Sequence, residues 1–288
     1  MSHTDSNVPA VPANAIPAKP VIKWAGGKRK LLNEILARTP EAIETYYEPF
    51  AGGSAAFFAL WNRGRFKYAV LNDLNAELIE TYEVIQSSSY GHLIETLKTY
   101  PHSRDFYLHL RAIPATDLSS ALVRAARFIY LNRTGFNGLY RVNKKGQFNV
   151  PFGRYTNPTI CDEEGLRRAH YALQGVILAS KDFAACVEGA KEGDFVYFDP
   201  PYLPISKTSN FVSYTSGGFG ISDHRRLAET MRSLRERGVK ALLSNSDTPQ
   251  ISEIFQDFTV DSVKAPRAIN SDGARRGLVG ELLISTEV

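Results

Sequence analysis

Hydrophobic positions along this chain follow two periods. Short apolar runs at TYYEPF (45–50), KYAVLN (67–72), GVILAS (175–180), FVYFDPP (195–201) and VKALLSNSD (239–247) are rich in β-branched and aromatic residues and predict strands. Stretches with helical spacing lie between them: Leu31 to Ala37, AAFFALWNRG (55–64), and Ala76 to Gln86, where Leu78, Ile79, Tyr82 and Ile85 fall on one face. Strands alternating with helices predict an α/β fold with a doubly wound, Rossmann-like sheet. FTVDSVKAP (258–266) and LVGELLIST (278–286) read as a pair of antiparallel edge strands. The α/β pattern occupies 21–75 and 170–288, and residues 76–169 read as an inserted helical domain ending in an irregular loop. Residues 1–20, with Pro9, Pro12, Pro17 and Pro20 among Ala, Asn and Ser, read as a disordered tail.

Composition alters this picture in one place. The 288 residues, 43% of them hydrophobic, suffice for a large core, and neither an apolar run of membrane-spanning length nor an export signal is legible. An intracellular protein with free thiols at Cys161 and Cys186 is expected. The six histidines have no zinc-site spacing, so no metal is expected. The net charge of +4 is unevenly spread: Arg124, Arg127, Arg133, Arg141, Lys144, Lys145 and Arg154 fall between 121 and 155 with no acidic residue, leaving the rest of the chain net acidic. Phe128, Tyr130, Phe136, Tyr140, Phe148, Phe152 and Tyr155 are interleaved with them. A helix with a solvated basic face accounts for Arg124 to Leu131. It does not account for the Gly- and Asn-rich NRTGFNGLYRVNKKGQFNVPFGRY, whose aromatics and cations suit a surface that meets phosphates and bases.

Three features carry candidate chemistry. YEPFAGGSAAF places Gly52 and Gly53 between a strand and a helix, where the backbone turns tightly and a ligand can approach. Asp73 closes the next strand twenty residues later, the spacing at which an acid reaches the ribose of an adenosine-bearing cofactor; the competing reading is an N-cap for the following helix. The third is FVYFDPPY, in which a buried strand ends at Asp199, Pro200, Pro201 and Tyr202. Paired prolines leave the Pro200 carbonyl without a ladder partner. With Asp199 it can grip the exocyclic amine of an aromatic ring, localising the nitrogen lone pair and stabilising the positive charge that develops on it. Tyr202 offers a flat face to that ring. Such chemistry needs an electrophilic carbon, which S-adenosylmethionine in a pocket around Glu48, Gly52 and Asp73 would provide. KWAGGKRK lacks the phosphate-loop pattern, which argues against a nucleotide triphosphatase.

From Val21 onward the chain closely resembles the Dam-type family of DNA adenine N6-methyltransferases, with KWAGGK, EPFAGGS, LNDLN, LNRTGFNGLYRVN, GQFNVPFGRY, FDPPY and SNSD in the family's order. The resemblance implies cofactor contacts at Trp24, Lys28, Asp73 and Asp199, beside Glu48, Gly52 and Gly53, and a catalytic motif of Asp199, Pro200, Pro201 and Tyr202. It also implies a target-recognition domain that reads GATC in double-stranded DNA. Lys23, Phe136, Asn137, Leu139, Arg141 and Pro151 match it, and Arg133, Lys144 and Tyr155 join them as expected DNA contacts. A bacterial or phage-encoded cytoplasmic enzyme, monomeric in solution, is the corresponding expectation. Thr134 and Phe136 depart from the family, which often has tyrosine there. Taken singly, Trp24 also fits a core residue, Lys28 a solvated helix start and Arg141 a phosphate contact without base specificity. Related motifs serve cytosine N4, RNA adenine or a glutamine amide, and a DNA-binding module without catalysis is a further alternative. Asp at the head of the motif and the long insert favour adenine in DNA.

Overall fold

The computed structural model describes residues 7–11, 16–24, 26, 28, 31–143, 145–203, 219–266 and 278–287, the side chains of 264–266, 278 and 279 excepted. The chain order is α1 (Leu32–Ala37), β1 (Ile43–Glu48), α2 (Ala55–Trp61), β2 (Phe66–Asn72), α3 (Ala76–Gln86), α4 (Tyr90–Thr99), α5 (Arg104–Ala112), α6 (Ala121–Thr134), α7 (Glu163–Leu173), β3 (Ile177–Ala179), α8 (Phe183–Cys186), β4 (Phe195–Phe198), α9 (Ile221–Glu236), β5 (Lys240–Ser246), α10 (Pro249–Ile254), β6 (Thr259–Pro266) and β7 (Leu278–Ser285). Seven strands form one sheet in the order β3-β2-β1-β4-β5-β7-β6. Strands β1 to β5 are parallel, and β7 runs antiparallel to both β5 and β6. The two C-terminal strands therefore pair as expected, but only β6 is at the edge. β7 is interior because both of its neighbours use its ladder, which suits the apolar run Leu282–Leu283–Ile284.

Adjacent residues of each strand enter different cores, which is why the strands read as near-continuous apolar runs. Tyr46, Phe195, Tyr197, Leu242 and Leu283 join the cluster beneath α1, α2, α3, α4, α6 and α7. Tyr47, Val196, Phe198, Leu243, Leu282 and Ile284 join the one beneath α8, α9 and α10. All four residues of β4 are buried, so the strand that delivers Asp199 is fixed from both faces.

Two observations bear on the organisation of the chain. Core composition does not switch at 76 or 169: Leu78, Tyr82 and Ile85 of α3, Leu93 and Leu97 of α4, and Leu166 and Leu173 of α7 belong to the sheet's own cluster. Only Tyr107 and Leu110 of α5 with Tyr130 and Leu131 of α6 form a separate small core. The stretch expected to be a disordered tail is also tethered where it is described. The Val8 N–H donates to the Lys67 carbonyl (2.9 Å), Trp61 Nε1 donates to the Pro9 carbonyl (3.1 Å), and the Asn62 side chain bonds both backbone groups of Ala18. A proline-rich composition predicts no regular structure, but here β2 and the end of α2 with the residue after it supply hydrogen bonds to the segment.

Phe57 is the packing keystone beneath the glycine turn, fully buried between Phe58 (5.1 Å between ring centroids) and Phe66 (5.6 Å). Phe57→Ala should cost about 3–5 kcal/mol in chemical denaturation. A loss under about 1 kcal/mol would show that this layer re-packs around the gap.

Candidate active site

The sheet places the candidate residues together. The chain runs outward from β1 through β2 to β3, returns, and builds β4 on the other side of β1, so the strand order reverses between β1 and β4. Ligands bind outside the carboxyl ends of strands at such a switch point. Glu48 ends β1 and Asp199 follows β4 on either side of it.

On the β1 side the backbone is held in an unusual shape. Gly52 has φ +46°, and a Cβ there would lie 2.6 Å from Cδ1 of Trp24, so both conformation and space require glycine. Ser54, next but one, also adopts a left-handed conformation at φ 52°. Three side chains hold this turn. Asp73 Oδ2 accepts from the Gly52 N–H (3.0 Å), the Tyr82 hydroxyl donates to the Gly52 carbonyl (2.8 Å), and Glu48 Oε2 accepts from the Phe57 N–H (3.2 Å) and the Tyr46 hydroxyl (3.0 Å). Glu48 is only 2% exposed, and burial pushes its carboxyl well above the usual carboxylate range. It braces the turn from inside. Asp73 does not cap α3: Asn75 does, accepting from the Leu78 N–H, while Asp73 Oδ1 accepts from the Asn75 N–H (2.9 Å). Each carboxylate oxygen of Asp73 still has a second lone pair.

On the β4 side, Lys28 Nζ lies 2.7 Å from Asp199 Oδ1 and 4.1 Å from the centre of the Tyr202 ring, and also donates to the Gly26 carbonyl (3.1 Å). Lys28 is 6% exposed and Asp199 23%. The Ser244 hydroxyl, from β5, lies 3.3 Å from Asp199 Oδ1 and 2.9 Å from the Tyr197 hydroxyl. Burial raises the Asp199 carboxyl above its ordinary value, and the Lys28 ammonium pulls it part of the way back. A cation thus sits against the carboxylate and over the aromatic face at once, the two contacts that the sequence assigns to the amine and ring of a target base.

Most of the expected DNA-contacting residues gather on a second surface. The Phe136 N–H donates to the Pro151 carbonyl (2.9 Å), and Lys23 packs against Gly138 with its Nζ 4.4 Å from the centre of the Tyr155 ring. Phe136 is 46% exposed, and Asn137 and Pro151 are exposed beside it. Leu139 closes the same turn, and Arg141 is clamped, Nε to Asn149 Oδ1 (2.7 Å) and Nη2 to the Asn149 carbonyl (3.2 Å). Arg133 is elsewhere: it faces inward and donates to the Val21 carbonyl (2.7 Å). Lys144 lies outside the described residues.

Residues 24–269 match the family of D12 class N6 adenine-specific DNA methyltransferases. The chain belongs to that family. It is 42% identical to the Type II methyltransferase M1.LlaDCHI of Lactococcus lactis over 94% of this chain and 96% of that one. It is 39% identical to the Type II methyltransferase M.MjaIII of Methanocaldococcus jannaschii (92% and 98% covered) and 34% identical to the DNA adenine methylase of Escherichia coli K12 (91% and 93%). S-adenosylmethionine is the cofactor of this methyltransferase class, and the glycine turn, the remaining acceptor capacity of Asp73 and the Trp24 ring against Gly52 fit it.

The charge count overstated the basic surface. Arg124 is spent on a two-bond pair with Glu80 (both 2.7 Å), Arg127 is buried against the Leu110 carbonyl and Glu77, and Arg133 is the inward-facing residue already described. Sequence reasoning missed Tyr82, Ser244 and Asn149, which meet Gly52, Asp199 and Arg141, and Glu281, whose Oε2 accepts from the Tyr202 hydroxyl at 2.6 Å. Only Glu281 carries a readable signal, an acid interrupting the apolar run of a strand.

An ionised Asp199 is the form that accepts hydrogen bonds. With Asp199 in the role the sequence assigns to it, methylation by this family member should fall, as pH drops, at a higher pH than an ordinary carboxylate would set, because the folded value is raised. Lys28→Met removes the opposing charge and should move that acid limb upward again. Single-turnover rates over a pH series test this, and an unmoved limb would separate Asp199 from the titration.

Proposed function

We propose that this D12-class methyltransferase modifies N6 of adenine within GATC in double-stranded DNA, with Asp199, Pro200, Pro201 and Tyr202 as its catalytic motif. The observation that carries this reading is the position of the Lys28 ammonium, bonded to Asp199 and resting on Tyr202 at the switch point of the sheet. An adenine turned out of the duplex brings an amine and a π-face to the same two groups. Asp199 and the Pro200 carbonyl accept hydrogen bonds from its two N–H groups, so the nitrogen lone pair is freed from the ring, positive charge developing on N6 meets fixed acceptors, and the proton that N6 sheds on methylation passes to Asp199 and on to solvent. Lys28 must withdraw for this. S-adenosylmethionine, when bound, supplies an electrophilic methyl group, and Trp24, Gly52, Gly53 and Asp73 are the residues that would hold it, with Glu48 bracing the turn.

DNA reading is assigned to the second surface. Phe136, half exposed at a turn, serves as an apolar wedge, although it lacks the hydroxyl of the tyrosine common at this position. Arg141 has its Nε side fixed by Asn149, which leaves the end of the guanidinium to face a guanine edge. Lys23, Asn137, Leu139, Pro151 and Tyr155 surround them, Lys144 is kept as a phosphate contact, and Arg133 acts by supporting Val21.

Mapping the modified base in plasmid DNA tests the reaction, and a product other than N6-methyladenine would overturn it. Asp199→Ala should lower turnover about a hundredfold or more while DNA binding survives. Arg141→Ala should relax discrimination at one position of GATC by about 1–3 kcal/mol, read as methylation of the single-base variants. Equal loss on every sequence would make Arg141 a phosphate clamp.

A further inference from the structure

We propose that Glu281 is a positioning residue for this reaction: its carboxylate fixes the Tyr202 ring, and so sets from β7 the face on which the target base stacks. The inference rests on the role proposed above for Tyr202. The Tyr202 hydroxyl donates to Glu281 Oε2 at 2.6 Å, a short, charge-assisted bond. Tyr202 follows two prolines and lies outside every strand, so its ring is not oriented by a sheet ladder. Among the described residues, its polar contacts are that bond at the hydroxyl and the Lys28 ammonium over its face (4.1 Å). The ammonium must leave when a base enters. Among the described residues, Glu281 is then the polar contact that remains.

Glu281 is itself held rigidly. β7 is antiparallel to β5, so a residue early in β7 comes to the carboxyl end of the parallel strands, and Glu281 pairs in register with Ser246 of β5 and Val263 of β6. The Asp247 N–H donates to the carbonyl of its neighbour Gly280 (3.2 Å), and a Cβ at Gly280 would lie 2.6 Å from Asp247 Oδ2, so the backbone here lies close against the end of β5. The Ser246 hydroxyl donates to the Leu203 carbonyl (3.3 Å), anchoring the residue after Tyr202 to the same strand. Glu281 opens the run Leu282, Leu283 and Ile284 on an interior strand, and its carboxylate meets the Tyr202 hydroxyl there. Both carboxylates therefore act on the base without competing for it: Asp199 takes the amine, and Glu281 orients the ring beneath.

The test uses the full chain and a GATC duplex, with adenine for single-turnover methylation and with 2-aminopurine at the target position for fluorescence. Glu281→Ala should slow the single-turnover rate about tenfold while the dissociation constants for DNA and cofactor change less than about twofold. The bound 2-aminopurine should brighten because its stacking partner is no longer fixed. Glu281→Gln, whose side-chain carbonyl still accepts from the tyrosine, should recover most of the rate. Tyr202→Phe should lose as much as Glu281→Ala, and the double variant should be no slower than either single one. Multiplying losses in the double variant, a wild-type rate and fluorescence in Glu281→Ala, or a Gln variant as slow as the Ala variant would each overturn the positioning role. If Glu281→Ala does not fold, Tyr202→Phe removes only the hydroxyl, and a wild-type rate there is equally fatal. Failure of the unsubstituted chain to methylate adenine would instead sink the proposed function.

Discussion

The pair formed by Lys28 and Asp199 is the constraint around which the rest of the site is arranged. Two opposite charges, 2.7 Å apart and largely removed from water, join a lysine ahead of the first helix to an aspartate more than halfway along the chain. Taking such charges out of water costs several kcal/mol per ion, roughly, and their attraction repays it only when other bonds satisfy the remaining lone pairs and protons. Those bonds are present: Gly26 accepts from the ammonium, Ser244 lies within reach of the carboxylate, and the Tyr202 ring faces the cation. Removing either charge alone would strand the other. The N-terminal segment is thereby locked onto the second half of the sheet, and the glycine turn of β1 comes to face the acid after β4.

Aromatic packing connects this site to the surface proposed to face DNA. The Trp24 ring closes over Gly52 and stacks on Tyr140 at 5.8 Å, and Tyr140 stacks on Phe128 of α6 at 5.3 Å and meets Phe148 of the loop edge-on. Asn132 on α6 clamps both backbone groups of Lys23 and also the Gly138 carbonyl. Movement of the 136–139 turn is therefore felt one residue from Trp24. The glycine turn and the 136–141 surface are thus linked through α6, which buries its apolar face in the sheet's own core.

Strands and motifs were legible in the sequence because they are local. β1, β2, β4 and β5 lie where the apolar runs put them, and Leu78, Ile79, Tyr82 and Ile85 all turn inward as their spacing predicts. The Gly53-to-Asp73 spacing located a real junction, although the structure shows Asp73 binding the turn and Asn75 taking the cap that was its rival reading. Partnership across the sheet was not legible. Arg124 reads as surface charge until Glu80, forty-four residues away, neutralises it, and the bond from Arg133 to the Val21 carbonyl is equally invisible in the sequence. The position of β7 between β5 and β6 depends on which ladders are satisfied, and an alternating pattern does not specify that. Without it, Glu281 cannot be placed beside Tyr202.

Under the proposed reaction, the presence of Lys28 in the place of the base has an energetic consequence. A neutral amine replacing an ammonium at Asp199 exchanges an ion pair for a charge–neutral hydrogen bond, so the carboxylate alone does not draw adenine in. Extrusion from the duplex costs a few kcal/mol more, roughly. The balance must come from contacts that the ammonium cannot reproduce: ring stacking on Tyr202, about 1–3 kcal/mol by analogy with other aromatic–base contacts, and the DNA contacts of the Phe136 to Arg141 surface. A base lacking those contacts meets a site already filled. Selectivity for a flipped base in the correct sequence then arises from displacement of an internal cation, in a crevice that β1 and β4 hold open for a single occupant.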